Sequence, residues 1–159
     1  MEANNPKINS QSIETRLRVL EDREEIRHLL IEYGRLLDQR DFGGFAKLFA
    51  EDAEYFGGGS IYATRGPAAI ARFIEEVFRR NPSELRFPNF HLFANETIQV
   101  NGDEAVAVSK GIFVVPTEAD TPEMVMMATY NDVLVRDNGR WKFKRRVVHS
   151  DLPAPQAPK

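Results

Sequence analysis

The sequence predicts an α+β domain in which three to four N-terminal helices pack on a curved, mostly antiparallel sheet and form a cone around a pocket. Three observations predict this fold. Apolar residues recur at helical spacing in the first half of the chain, they alternate from Phe87 onward, and asparagine–glycine pairs separate the alternating runs. With 159 residues, of which 42% are hydrophobic, the chain is long enough to bury one core.

One domain is expected over residues 12–150. The polar residues 1–11 and the proline-rich residues 151–159 are expected to be disordered. The N-terminus lacks the basic and apolar regions of a signal peptide, and no apolar run approaches the roughly 20 residues of a membrane-spanning helix. We therefore expect a cytoplasmic protein without a membrane partner.

Composition excludes several kinds of function. The chain has no cysteine, so it has no disulfide framework, no thiolate nucleophile and no cysteine-based zinc site. Its formal net charge of −3 gives no electrostatic reason to expect nucleic acid as a partner. The three histidines, His28, His91 and His149, lack the spacing of zinc-binding motifs. Phosphate-loop and nucleophile motifs are also missing, so we expect neither a metal nor another cofactor.

The first half of the chain predicts helices. Ser12 is a good N-cap for a helix whose apolar residues are Ile13, Leu17 and Leu20. Asp22, followed by Glu25, resembles a capping box and is expected to begin a second helix. Asp41 is expected to cap a short helix over residues 42–49, and Pro67 to open another. The broad apolar face of the second helix contains Ile26, Leu29, Leu30, Tyr33, Leu36 and Leu37.

The second half of the chain predicts a β-meander. Two short strands are expected around a glycine turn within residues 53–65. The turns Asn101-Gly102 and Asp137–Gly139 are strong hairpin signals. Alternation places four long strands over residues 87–100, 104–116, 123–136 and 140–149.

The last strand suggests self-association. Alternation places Lys142, Lys144 and Arg146 on a solvated face. The opposite face carries Trp141, Phe143 and Val147, which would be too apolar to stay in water if it pointed away from the helices. On this basis we expect a homo-oligomer, either a trimer or a dimer.

His91 is the first candidate for chemistry. It shares a strand face with aromatic and amide side chains, whereas the opposite face is uniformly apolar. A mixed face of this kind is typical of a ligand pocket. Spacing alone nevertheless favours a simpler interpretation, in which His91 is a buried or half-exposed histidine satisfied by a neighbour. The mixed face contains Phe87, Asn89, His91, Phe93 and Asn95.

Asp38 is the second candidate, because a carboxylate near the C-terminal end of a helix opposes the helix dipole. A locally unfavourable residue of this kind can be retained for function. An ordinary solvated aspartate in a turn is the alternative. Tyr33, Tyr55 and Tyr130 can each be explained by a ring in the core with its hydroxyl at the edge.

Taken together, these segments resemble a SnoaL-like domain of the nuclear-transport-factor-2-like superfamily. The resemblance covers nearly everything between Leu20 and His149. The segments that carry it are LEDREEIRHLLIEYGRLLDQRDFGGFAKLFAEDAEY (Leu20–Tyr55), GPAAIARFI (Gly66–Ile74), FHLFAN (Phe90–Asn95), VNGDEAVAVS (Val100–Ser109) and DNGRWKFKRRVV (Asp137–Val148).

Within that superfamily the chain is most similar to scytalone-dehydratase-like lyases, bile-acid dehydratases and dehydrochlorinases, which share an aspartate–histidine dyad inside the cone. The resemblance implies that Asp38 and His91 occupy the dyad positions. Tyr33 matches a tyrosine five residues before the aspartate in bile-acid dehydratases, and Tyr55 matches a second pocket tyrosine. The lysine that dehydrochlorinases carry near Tyr33 is absent, which argues against that chemistry.

The resemblance implies a cofactor-free lyase or isomerase that acts on a small, cyclic, largely apolar carbonyl compound. His91 would be the general base, Asp38 would orient its ring, and Tyr33 would donate to the enolate oxygen with help from Tyr55. One alternative is a non-catalytic module for small-ligand binding or subunit assembly, as in the beta subunits of ring-hydroxylating dioxygenases. Another is a polyketide-type aldol cyclase, which would use the same carboxylate and histidine on a longer substrate.

The pocket itself is expected to be apolar. Phe56, Phe93, Met126 and Tyr130 should line it beside His91, because their strands alternate in register with the histidine face.

Overall fold

The computed structural model describes residues 12–57, 62–80 and 86–153. Within these residues, three helices accompany an open six-stranded mixed sheet with the strand order β2-β1-β6-β5-β4-β3, which confirms the α+β prediction. The helices are α1 (Ile13–Asp38), α2 (Phe42–Ala46) and α3 (Pro67–Arg80). The strands are β1 (Phe49–Phe56), β2 (Thr64–Arg65), β3 (Phe90–Asn101), β4 (Glu104–Pro116), β5 (Pro122–Asp137) and β6 (Arg140–Leu152).

The two helices predicted before residue 38 form one continuous helix of 26 residues. Ser12 caps it as predicted, since its hydroxyl accepts a hydrogen bond from the Thr15 amide at 3.2 Å. Asp22 does not begin a helix. It is buried within α1 and accepts hydrogen bonds from Arg136 and Trp141. Asp22 and Glu25 therefore match the capping-box pattern without capping a helix, because Asp22 makes tertiary contacts instead.

The N-terminal part of α1 projects an apolar stripe into solvent. Ile13, Leu17 and Leu20, the apolar residues that recur at helical spacing behind Ser12, are exposed in the described structure. The second predicted apolar face does form the core side of α1, where Ile26, Leu30 and Tyr33 are buried. A helical apolar pattern identifies a face, but whether that face is covered depends on what packs against it.

The meander follows the alternation closely. β4 has the predicted bounds, and the β5–β6 turn places Asn138 and Gly139 at positive φ values of 51° and 77°. β6 pairs with β1 in parallel, a connection that local patterns do not specify. The predicted glycine turn between β1 and β2 and the two predicted disordered ends lie largely outside the described residues, although β6 extends through Leu152.

A β-bulge in β6 reverses the faces predicted for its second half. Leu134 pairs with Phe143 and Val133 pairs with Arg145, so one extra residue enters β6. Arg146 is consequently fully buried, and the prediction that it lies on a solvated face is wrong. Val147 falls on the opposite face from Phe143.

The apolar surface proposed for self-association is therefore wrong in its location. Trp141 and Phe143 belong to the core beneath the helices. The outer face of the sheet instead exposes Phe90, Leu92, Val106, Val108 and Val133. Self-association itself stays a prediction.

No helix among the described residues is long and apolar enough to cross a bilayer.

Candidate functional site

Asp38 and His91, 53 residues apart in the chain, are joined by two hydrogen bonds. One Asp38 oxygen lies 2.6 Å from Nδ1 of His91, and the other accepts the His91 backbone amide at 3.0 Å. The carboxylate can only accept, so Nδ1 carries the proton in the neutral ring. Nε2 is then the nitrogen with a free lone pair, as a general base requires.

Gly34 allows α1 to approach β3 closely enough for this contact. A Cβ atom at Gly34 would lie 3.0 Å from Cβ of His91 and 3.0 Å from the Phe93 ring. Asp38 follows Gly34 by four residues, so it lies on the same side of the helix. Close packing at the glycine thus delivers the carboxylate at the end of α1 to the histidine near the start of β3.

The His91 ring is held on an aromatic wall. It stacks on Phe113, its ladder partner on β4, with ring centroids 4.2 Å apart and planes inclined by 20°. Phe78 of α3 lies on the same wall, 6.4 Å from the imidazole. The histidine side chain is 5% exposed. Its orientation is therefore fixed both by Asp38 and by aromatic packing.

Tyr33 and Tyr55 meet deep in the cone, where their hydroxyls share a hydrogen bond of 3.3 Å. Both side chains are buried, and burial raises the pKa of each phenol above its ordinary value. Both phenols are consequently neutral at physiological pH and can donate. Phe93 links this pair to the dyad strand, because its ring lies edge-on to Tyr33 at 5.9 Å.

The predicted pocket residues separate into two groups. Phe93 and Tyr130 are in contact on the inner face, with ring centroids 4.9 Å apart, and Met126 packs on the same core opposite Phe113. Phe56 does not join them. It lies on the other face of β1, where the Arg145 guanidinium is 4.9 Å from its ring, so the prediction for Phe56 is wrong.

Arg146 and Asp132 were missed as site residues. The Arg146 guanidinium lies 3.9 Å from the Tyr33 ring centroid, and one of its nitrogens is 3.4 Å from an Asp132 oxygen. Both side chains are buried on the inner face, directly opposite each other on β5 and β6. The burial of Asp132 could have been predicted from the sequence, because Asp132 alternates with Tyr130 and Leu134 on an apolar face. The burial of Arg146 could not have been predicted, because the bulge in β6 inverts the alternation that assigns its face.

A metal ion has little to bind in this arrangement. Within residues 12–57, 62–80 and 86–153, no three His, Cys, Asp or Glu side chains come together in a way that could hold one.

An open groove of about 520 Å³ lies between α1, α2 and the start of β6, and its lining contains neither Asp38 nor His91.

Similarity to known proteins agrees with this architecture. The profile of the SnoaL-like domain matches residues 18–147. The uncharacterized protein Rv2910c of Mycobacterium tuberculosis is 31% identical over 135 residues, which cover 80% of this chain and 84% of that protein.

Two solved structures from Novosphingobium aromaticivorans share the fold. A nuclear-transport-factor-2-like protein with a cystatin-like fold superposes with a TM-score of 0.79 at 28% identity, covering 93% of this chain and 94% of that one. A "Putative Scytalone Dehydratase" superposes with a TM-score of 0.71 at 22% identity, covering 91% and 93%. The chain belongs to the SnoaL-like domain family and has the nuclear-transport-factor-2-like fold.

Proposed function

We propose that this protein is a cofactor-free, dehydratase-like lyase or isomerase that removes a proton alpha to the carbonyl of a small, cyclic, largely apolar compound. The observation that carries the proposal is the paired contact between Asp38 and His91. An imidazole held at Nδ1 by a carboxylate presents Nε2 as a base and is stabilised once protonated. The fold shared with the protein named "Putative Scytalone Dehydratase" supports this choice of reaction class.

The proton would travel through His91 in both halves of the reaction. Nε2 takes the alpha proton, and the electron pair of the broken C–H bond moves onto the carbonyl oxygen as an enolate. In a dehydration the enolate then expels the beta hydroxyl, which leaves as water with the proton returned by His91. In an isomerisation the same proton returns to a different carbon. Asp38 stays ionised throughout and offsets the imidazolium charge.

The enolate oxygen needs a donor, and the Tyr33–Tyr55 pair is suited to that role. Burial keeps both phenols neutral, so each retains a proton that can be donated. In the structure the two hydroxyls satisfy each other at 3.3 Å. A substrate oxygen would take the place of one hydroxyl as acceptor. This exchange costs little, because one hydrogen bond replaces another.

The Asp38–His91 contact also bears on the two alternatives, a non-catalytic module and an aldol cyclase. A module that only binds a ligand or assembles subunits has no need for a carboxylate that engages both the ring and the backbone amide of one histidine. The 2.6 Å contact therefore favours catalysis over that alternative. An aldol cyclase would use the same two residues and is separated from a dehydratase by the products formed.

The experiment measures proton abstraction directly. Cyclic ketones with and without a beta hydroxyl are incubated with the protein in deuterated water, and alpha-proton exchange and water loss are followed by proton NMR. His91→Gln should slow exchange by about 10²–10⁴-fold, because the base is lost while the shape is approximately kept. His149→Gln, at an exposed histidine, is the matched control and should leave the rate unchanged. Equal rates in wild type and His91→Gln would contradict the proposal.

A further inference from the structure

The polar cluster at the centre of the cone contains a carboxylate that the proposed reaction does not use. Asp132 lies opposite Arg146, and both are buried. In the described part of the chain, neither the carboxylate oxygens nor the guanidinium nitrogens have a hydrogen-bond partner, although the two groups approach to 3.4 Å. Buried charges without hydrogen bonds are costly, so stability alone does not account for this pair.

The pair lies against the phenols of the site. The Arg146 guanidinium is 3.9 Å from the Tyr33 ring centroid and 4.4 Å from that of Tyr130. Tyr33 in turn shares its hydroxyl hydrogen bond with Tyr55. A cation on the face of a ring draws electron density from the phenol and makes its hydroxyl a stronger donor, whereas a nearby anion opposes that effect.

The electrostatic contributions follow the same geometry. Burial is the main cause that raises the pKa of Tyr33, Tyr55 and Tyr130. In each case the charge of Arg146 lowers the pKa and the charge of Asp132 raises it. The two charges thus act on the same three hydroxyls with opposite sign.

We infer that Asp132 is a positioning residue of this site, whose carboxylate offsets the charge of Arg146 at the Tyr33–Tyr55 hydroxyl pair. The inference deepens the proposed function and rests on it. With Asp132 ionised, the pair is neutral overall and the polar end of the cone suits an uncharged carbonyl group. When Asp132 takes up a proton from solvent, Arg146 acts alone and strengthens the Tyr33 hydroxyl as a donor to a developing enolate.

The exchange between these two states falls in an accessible pH range. Burial raises the pKa of Asp132 to about 6, against the opposing attraction of Arg146. The ionisable groups that face the Arg146 guanidinium on β6 come from three other elements, with Tyr33 on α1, Tyr55 on β1, and Tyr130 and Asp132 on β5. The Asp38–His91 dyad lies further along the inner face of β3.

The test follows the tyrosines of the intact protein, labelled with carbon-13 at Cζ, by NMR between about pH 4.5 and 8. The chain has four tyrosines, and Tyr62, which is 77% exposed, serves as the internal control. The Tyr33 and Tyr55 signals, assigned with Tyr→Phe variants, should move with a single midpoint near pH 6 while the Tyr62 signal stays constant. In Asp132→Asn that movement should be lost.

Two results would overturn the inference. Constant Tyr33 and Tyr55 signals across this range in the wild type would show that Asp132 does not act on them. A movement that persists in Asp132→Asn would come from another group, such as His91. Should Asp132→Asn fail to fold, Asp132→Ser serves in its place. Because the signals are read without substrate, their failure is distinct from a failure of the His91→Gln exchange experiment.

Discussion

Two arginine–aspartate pairs in this protein are built from the same residue types but differ in hydrogen bonding. Arg136, at the end of β5, donates to Asp22 of α1 and, at 3.0 Å, to Asp103 in the β3–β4 turn. Its guanidinium lies 4.6 Å from the Trp141 ring centroid, and the indole donates to the same Asp22 at 3.3 Å. The Arg136 side chain is 16% exposed and therefore keeps contact with water.

The second pair, Arg146 with Asp132, also places its arginine on an aromatic ring, yet it is 0% exposed and makes no hydrogen bond within the described residues. The first pair joins α1 to two hairpins, so its geometry explains its presence. The second joins neighbouring strands that the ladder already holds together. A structural ion pair is thus distinguished by its hydrogen bonds. A buried pair without them is retained for the electrostatic potential that it creates at neighbouring groups.

The largest effect is expected when the satisfied pair is broken. Asp22→Ala leaves the Arg136 cation and the Trp141 N–H without their shared acceptor. It should lower the free energy of unfolding by about 3–5 kcal/mol, measured by urea denaturation. Asp103→Ala is the matched control, because Asp103 is an exposed partner of the same arginine, and it should cost only about 0–1 kcal/mol. Equal losses in the two variants would contradict the distinction between the partners.

The second expected effect has the opposite sign. Replacing both members of the unsatisfied pair, as Arg146→Met with Asp132→Leu, removes two buried charges that lack hydrogen bonds. Stability should be unchanged or higher by up to about 4 kcal/mol, while the alpha-proton exchange rate falls. Thermal melts and the exchange assay on the same preparations check both parts. A double variant that is clearly less stable than wild type would assign the pair a structural role.

The smallest expected effect is the pH dependence of stability. Burial raises the pKa of Asp132 to about 6, so between its ordinary value near 4 and that value the folded state binds a proton that the unfolded state has lost. Stability therefore falls as pH rises through this window. Relative to Asp132→Asn, the wild type should lose up to about 3 kcal/mol between about pH 4 and 7. Parallel curves for the two proteins in urea denaturation would contradict this.

Most of the fold could be predicted from local sequence patterns. Alternation located β4 from Glu104 to Pro116, and the Asn138-Gly139 turn adopts the positive φ angles that its residue types favour. Ser12 caps α1 for the same local reason. These features depend on residues adjacent in sequence, which is why they could be predicted one segment at a time.

The candidate site was predictable only in part. The resemblance to the family placed Asp38 and His91 together, and the structure brings them within 2.6 Å. No local pattern could identify Asp22 as a buried acceptor rather than a cap, because its partners lie more than 100 residues away. The exposed stripe of Ile13 and Leu17 was likewise unreadable, since coverage of a helix depends on what packs against it.

Local sequence patterns predicted the long strands, the hairpin turns and the residue types of the site, although they divided α1 into two helices. Which faces those elements present to the core depends on tertiary packing. One extra residue in β6 moves Arg146 from the solvated face to the interior, because side chains alternate with a period of two and a bulge inverts everything beyond it. The buried charge beside Tyr33 is therefore a product of strand pairing, which no single segment encodes.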